Sequence, residues 1–313
     1  MKKIIKICLF FLILFLMLII LSKIFIPKDN AQRTALKSYG SNNVLGEKDN
    51  TIDLVVLGNS EACTSIIPMK LWEDYGYTSY SCGNPGQLLS DSLKTLQDVS
   101  KKQKPKVVVL EATSIYDKIS ITIPIARAIK SLLPIAEYHY RWKDLKLEDL
   151  YSEVEYKSVD HMKGFRYNKI SNPLTENFDY MKYTKDINDI GIIEKYYLQR
   201  INDYCKENNA KFVLINTPSP KNWDYKKHNA VKEFADNEGI DYIDFNLLTD
   251  ELEIDWNEDT LDKGDHMNYY GSIKLTNYFE KYLKDKNLLK DHRDDEKYSK
   301  WNEDLKKYKE TTS

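Results

Sequence analysis

Several things are scarce in this chain of 313 residues, and each shortage excludes something. There is no surplus of basic residues: the formal net charge is −2. A nucleic-acid-binding face is normally strongly basic, so no nucleic-acid partner is expected. No internal repeat stands out, which removes solenoids and other arrays. No Gly-rich phosphate loop occurs, and no His, Cys and Asp residues stand at zinc spacing. No metal or cofactor is therefore expected. Cysteine is limited to four positions. Cys8 lies in an apolar N-terminal run, and Cys205 falls in a helical stretch and should stay free. Cys63 and Cys82 each follow a predicted strand, so they read either as a bridge between neighbouring loops or as small buried thiols. Tyrosine is plentiful, with 23 residues, but it is spread along the chain rather than gathered into a stacking platform.

What is present begins at the N-terminus. Lys2, Lys3 and Lys6 precede an apolar run from Ile7 to Leu21, which continues past Ser22 and Lys23 into Ile24, Phe25 and Ile26. A spanning helix needs about 20 mostly apolar residues, and Lys23 could snorkel to an interface. The stretch "LSKIFIPKDN" offers no small-x-small cleavage site, so an uncleaved anchor over residues 1–28 is expected rather than a signal peptide. The flanking lysines place the N-terminus in the cytoplasm and the remainder outside. Residues 29–50, with "YGSNN", resemble a polar linker that lifts a domain off the bilayer.

From residue 51 to about 290, strand and helix signals alternate. "IDLVVLG", "YTSYSCG", "KVVVLEAT", "KFVLINTPSP" and "IDYIDFN" read as strands. "PMKLWEDYG", "QLLSDSLKTLQDVSKKQ", "IIEKYYLQRINDYCKENN", "DYKKHNAVKEFADNEG" and "GSIKLTNYFEKYLKD" read as helices. Continuous apolar runs of this kind suit strands covered on both faces. The expected fold is α/β, with a central parallel sheet between two layers of helices. Residues 121–185 break the rhythm with helical pieces such as "IARAIKSLLP" but no strong strand. They read as a helical insertion over the carboxyl edge of the sheet, a lid or substrate platform. The tail, 291–313, is nearly all polar and reads as a solvated helix or a disordered end.

The chemistry is sought where strands end. In "VVLGNSEACTS" an apolar run delivers Gly58, Asn59, Ser60 and Glu61 to a turn. Alone, that is a turn; at the carboxyl edge of a parallel sheet it is also where open α/β folds place their sites. A serine hydroxyl attacks only when a base takes its proton and a carboxylate orients that base. Of the five histidines, His139 and His161 lie in the insertion, His228 at a helix start and His292 in the tail. His266 differs, because "DTLDKGDHMNYYG" is a turn-rich loop before the last helix with Asp262 and Asp265 beside it.

These blocks resemble the SGNH (GDSL-type) serine esterase and acyltransferase superfamily, from about Thr51 to Lys284. "LGNSEA" resembles the first block, with Ser60 on the nucleophile. "YSCGNPGQ" resembles the second, with Gly83 on the glycine whose N–H joins that of Ser60 in an oxyanion hole. "DKGDHMNYYGSIKLT" resembles the last, with His266 on the base. The plan is similar to membrane-anchored bacterial members that work beside membrane-bound O-acyltransferases, such as the D-alanine-transfer protein of teichoic-acid modification. The resemblance implies acyl transfer or ester hydrolysis on a cell-surface polymer or glycan, with no cofactor. Two departures stand out. The third block normally supplies an asparagine, but "LEATSIYD" has Glu111, Ala112 and Thr113 there, so Asn84 or Gln87 would have to donate instead. The acid normally lies three residues before the histidine, and that residue is Lys263. Asp262, with one extra residue in the loop, is the first choice for the acid and Asp265 the second.

Overall fold

Five apolar runs pair side by side in a computed structural model that describes residues 2–29, 40–120, 122–157, 159–175 and 179–313. They are β1 (Leu54–Leu57), β2 (Ser79–Ser81), β3 (Val107–Glu111), β4 (Lys211–Asn216) and β5 (Asp241–Asp244). Every pairing is parallel, in the order β2-β1-β3-β4-β5. Alternate residues of a strand point to opposite faces, and both faces here are apolar. Val55, Leu57, Val108, Leu110, Phe212 and Leu214 enter one core, while Leu54, Val56, Val107, Val109, Val213 and Ile215 enter another. That double burial explains why the strands show continuous apolar runs rather than alternation.

Helices cover both faces. The first core is closed by α4 (Leu89–Val99), α7 (Ile192–Glu207) and α8 (Tyr225–Glu238), through residues such as Leu96, Ile201 and Val231. The second is closed by α9 (Tyr269–Asp285), through Leu275, Phe279 and Leu283, and by Leu71 of α3 (Pro68–Tyr75). Local sequence sets the ends of these helices. Pro68 opens α3, where a missing N–H costs nothing. The Asp224 side chain accepts from the Lys227 N–H at 2.8 Å to start α8, and that of Asn268 accepts from the Tyr270 N–H at 3.0 Å to start α9. A one-turn helix, α2 (Ser60–Cys63), follows β1 directly.

The N-terminal run forms α1 (Lys2–Phe25), which is long and apolar enough to cross a membrane by length and composition. Three expectations change around it. Residues 29–50 were expected to lift the domain away from α1. Residues 30–39 of that stretch lie outside the described residues, but Asp29 bridges to Glu155 of the insertion, and Val44 and Glu47 are buried. The insertion, expected over about 121–185, leads to a helix that starts at Ile192, and it is not all over the sheet edge. Its helices α5 (Thr122–Leu132) and α6 (Ile135–Tyr138) lie towards the C-terminal end of α1, where α6 makes direct contact. Its later part runs past the carboxyl edge, where the Arg166 N–H donates to the Cys63 carbonyl, that of Asn172 to the Thr260 carbonyl and that of Asn188 to the Lys226 carbonyl.

The tail is the third correction. It forms α10 (Ser299–Thr312), and this helix is packed rather than solvated. Trp301 lies against Trp72 of α3 with ring centroids 5.4 Å apart, and Tyr308 is buried. Only Trp301, Asp304 and Tyr308 of α10 are buried, a stripe one residue wide per turn. A stripe that narrow leaves the composition polar, which is why the tail looks solvated on composition alone. The four cysteines are all free thiols. Cys63 and Cys82 are both buried, and burial pushes the Cys63 thiol up to about 11 and that of Cys82 higher still.

Candidate active site

The carboxyl ends of β1 to β5 share one edge, and the residues singled out in sequence gather there. Gly58 ends β1 at φ 141°, where an added Cβ would sit 2.9 Å from Cβ of Glu111. Only glycine allows β1 to turn this close to β3. Asn59 then caps α2, its side chain accepting from the Glu61 N–H at 3.1 Å and donating to Asp117 at 3.0 Å. This fixes Ser60 at the first position of the turn.

His266 arrives from the other side of the sheet edge, on the loop before α9. Its Nε2 lies 2.8 Å from Ser60 Oγ, across 206 positions of sequence. Its Nδ1 lies 2.7 Å from Oδ2 of Asp262, whose Oδ1 accepts the His266 backbone N–H at 2.7 Å. Asp262 therefore grips His266 twice. The extra loop residue is absorbed by Lys263 and Gly264, which both adopt left-handed φ, 63° and 78°. Their turn swings the carboxylate of Asp262 back over the ring. Asp265 stands farther away, with Oδ1 3.8 Å from Nδ1, and that same oxygen accepts from Asn222 Nδ2 at 2.5 Å. Because Nδ1 faces a carboxylate, it carries the proton, which leaves the Nε2 lone pair to accept from the serine hydroxyl.

Gly83 lies against the serine turn: a Cβ there would sit 2.7 Å from Cβ of Ala62 and 2.9 Å from the Asn59 carbonyl. The two amides proposed as substitute donors are turned to each other. Asn84 Nδ2 donates to Oε1 of Gln87 at 2.8 Å, and Gln87 Nε2 to Oγ of Ser92 at 3.0 Å. Thr113 and Glu111 of the third block bind each other, Thr113 donating to the Glu111 carboxylate from both N–H and Oγ1.

Beneath the serine lie two buried carboxyls that sequence reasoning did not assign. Glu111 accepts from Asn216 Nδ2 at 2.9 Å, from the Thr113 Oγ1 and N–H at 2.9 and 3.1 Å, and from the Thr217 N–H at 3.3 Å. Glu61 accepts from Asn222 Nδ2 at 3.0 Å, and its Oε1 lies 3.3 Å from Ser219 Oγ. Burial, and for Glu61 the nearby Glu111 charge, hold both above the usual carboxylate range, with Glu111 pushed up to about 7. Ser219 and Asn222 belong to "TPSPKNW" after β4, and this loop braces the histidine loop. Ser219 Oγ donates to the Asp265 carbonyl at 2.8 Å and Lys221 Nζ to the Asp262 carbonyl at 2.6 Å. The one available signal was the cluster of polar residues at a strand end. Glu61, Asp265 and His266 place ligand atoms within 4.8 Å of one another, a group a cation could join. Both ring nitrogens of His266 already face hydrogen-bond partners, Ser60 and Asp262.

No family model matches the chain, and no curated protein does. Solved structures do. A GDSL-like lipase from Bacteroides thetaiotaomicron is 12% identical, with 80% of this chain and 98% of that chain covered at a TM-score of 0.41. A lipase/acylhydrolase from Enterococcus faecalis is 14% identical, with 75% and 97% covered at a TM-score of 0.37. The esterase EstA from Pseudoalteromonas sp. is 11% identical, with 75% and 97% covered at a TM-score of 0.39.

Proposed function

We propose that this chain is a membrane-anchored serine esterase or O-acyltransferase whose domain faces outward and acts on a cell-surface polymer or glycan. One observation carries the reading: Ser60 Oγ, His266 Nε2 and Nδ1, and Asp262 Oδ2 form a continuous hydrogen-bonded line with steps of 2.8 and 2.7 Å. Nucleophile, base and orienting acid in that geometry define acyl-transfer chemistry. His266 Nε2 takes the hydroxyl proton as Ser60 Oγ attacks an acyl carbonyl, and Asp262 supports the imidazolium that forms. The oxyanion is held by the N–H groups of Ser60 and Gly83, donors worth about 3 kcal/mol each in other hydrolases. The imidazolium returns its proton to the leaving oxygen. Water, or a hydroxyl of the polymer, then resolves the acyl-enzyme by the same route reversed. Transfer to a hydroxyl would make a membrane-bound O-acyltransferase the natural supplier of acyl groups, with α1 holding the two in one bilayer.

A second reading, a domain that only binds glycan or such a membrane partner, has one feature in its favour: the third block has Glu111, Ala112 and Thr113 where the oxyanion-hole asparagine is expected. Labelling with a fluorophosphonate separates the two. Ser60 should react, and Ser60→Ala should melt normally while losing several orders of magnitude of turnover on an activated acetyl ester. An unlabelled wild type without turnover would leave the binding reading standing, and a Ser60→Ala variant with full turnover would remove Ser60 as the nucleophile.

A further inference from the structure

The helical part of the insertion leaves its apolar side chains uncovered, and it does so beside α1. On α5, Arg127 pairs with Asp91 of α4 at 2.5 Å and also donates to Ser90 Oγ. Those contacts fix the rotation of the helix. Ile125, Ile129 and Leu132 then fall on the side away from α4, at the i, i+4 and i+7 spacing of one helical stripe, and they are 55%, 51% and 63% exposed. Trp142, Leu147 and Leu150 on the following turns are exposed as well. A contiguous apolar patch on a surface ordinarily has an occupant.

The fold fixes where that patch sits. The Ile135 N–H at the start of α6 donates to Ser22 Oγ at 3.1 Å, and Arg141 Nη1 to the Phe25 carbonyl at 2.6 Å. Ser22 is buried under these contacts. From Ile7 to Phe25 the anchor spans about 28 Å at about 1.5 Å per residue, close to the hydrocarbon thickness of about 30 Å. Ser22 lies about 5 Å inside the end of that length. Whatever packs on Ser22 is therefore held at the depth where acyl chains meet headgroups. Lys23, Lys130 and Lys143 are exposed on the same collar, positioned as cations are at an anionic lipid surface.

From this continuity we infer that the α5–α6 collar is itself membrane-embedded, with Ile125, Ile129 and Leu132 lying in the outer leaflet. The inference rests on the anchor proposed above and adds that the domain is seated in the bilayer rather than suspended from it. It also sets the height of a groove of about 860 Å³ between α4 and α5, which runs from Ile26, Pro134 and Tyr138 to Asn84 and Gln87. One end of that groove opens at headgroup level, and the other reaches the residues beside Gly83.

The test uses the full chain with Cys8→Ser, reconstituted in phosphatidylcholine–phosphatidylglycerol vesicles carrying nitroxide lipids. Bimane is attached at Ile13→Cys in the anchor, Ile129→Cys on the collar, or Glu233→Cys on the exposed side of α8. The three remaining native cysteines are buried, and labelling of Cys8→Ser alone sets the background. The expected result is strong quenching and a blue shift at 13 and 129, with neither at 233. Quenching at 13 with a water-like signal at 129 overturns the collar while leaving the anchor intact, and would give the stripe to a protein partner instead. No quenching at 13 removes the anchor and this inference with it.

Discussion

Asp262 and Asp265 differ by little in sequence and by much in what they touch. Asp262 binds both the ring and the backbone N–H of His266 at 2.7 Å, whereas Asp265 is held by Asn222 and reaches Nδ1 only at 3.8 Å. Asp262→Asn should therefore cost turnover heavily, towards the roughly ten-thousand-fold loss seen when a triad carboxylate becomes an amide. Asp265→Asn should cost far less, since its oxygen bridges to the 219–222 loop rather than orienting the proton. Turnover of each variant on an activated ester decides between them, and the reverse ranking would move the acid to Asp265. At this scale Ser60 was legible at a strand end and His266 in a turn-rich loop before the last helix, while Gly83 was singled out through the family resemblance. The choice between the two aspartates was not decided by spacing alone. It depends on Lys263 and Gly264 both taking left-handed φ, and a non-glycine residue in that region carries no reliable signal in one sequence. Glu61 was illegible for another reason: a glutamate after a serine looks solvated until the loop from β4 folds over it.

At the scale of elements, strands and helices were readable because burial on both sheet faces writes long apolar runs. The tail was misread because α10 buries only a narrow stripe. What fastens it is also invisible in composition. Lys163, fully buried at left-handed φ, places Nζ 2.8 Å from Glu47, 2.6 Å from Asp304 and 4.7 Å from the ring centroid of Trp301. One cation thus joins the segment before β1, the insertion and α10. Its carbonyl meanwhile accepts the Ser81 N–H at 2.8 Å, at the end of β2 just before Gly83. Lys163→Met would leave two buried carboxylates without their cation, and breaking a buried pair this way costs about 3–5 kcal/mol. Urea unfolding should show the midpoint falling accordingly, and adding Glu47→Gln and Asp304→Asn to that variant should recover part of the loss. Equal midpoints for wild type and Lys163→Met would mean that α10 is held by Trp301 and Tyr308 alone.

For the whole molecule, the lysines in the first turns of α1 predict that protease added to intact protoplasts digests the domain and leaves a small stub. Complete protection would place the domain inside and end the surface-polymer reading. A second whole-molecule property follows from the two carboxyls under Ser60. Glu111 accepts from Asn216, Thr113 and Thr217, donors that favour its charged form, yet burial still pushes it up to about 7, and burial together with the Glu111 charge holds Glu61 well above the ordinary carboxylate range. In the unfolded chain both titrate near the ordinary glutamate value of about 4.3. Between that value and about 7, where Glu111 titrates in the fold, the folded state binds more protons than the unfolded one. Stability must then be greatest below the ordinary value and decline as pH rises through this window. Glu280, also pushed up to about 7 by burial, adds a decline of the same sign. Glu61→Gln keeps an oxygen for Asn222 but removes one titrating group. Thermal unfolding of wild type and variant from about pH 5 to about pH 8 should give a flatter profile for the variant, with the two curves diverging towards the alkaline end because only the wild type must carry or shed a second buried charge. Parallel curves would show that the pair titrates as two ordinary carboxyls and that water reaches the floor of the site.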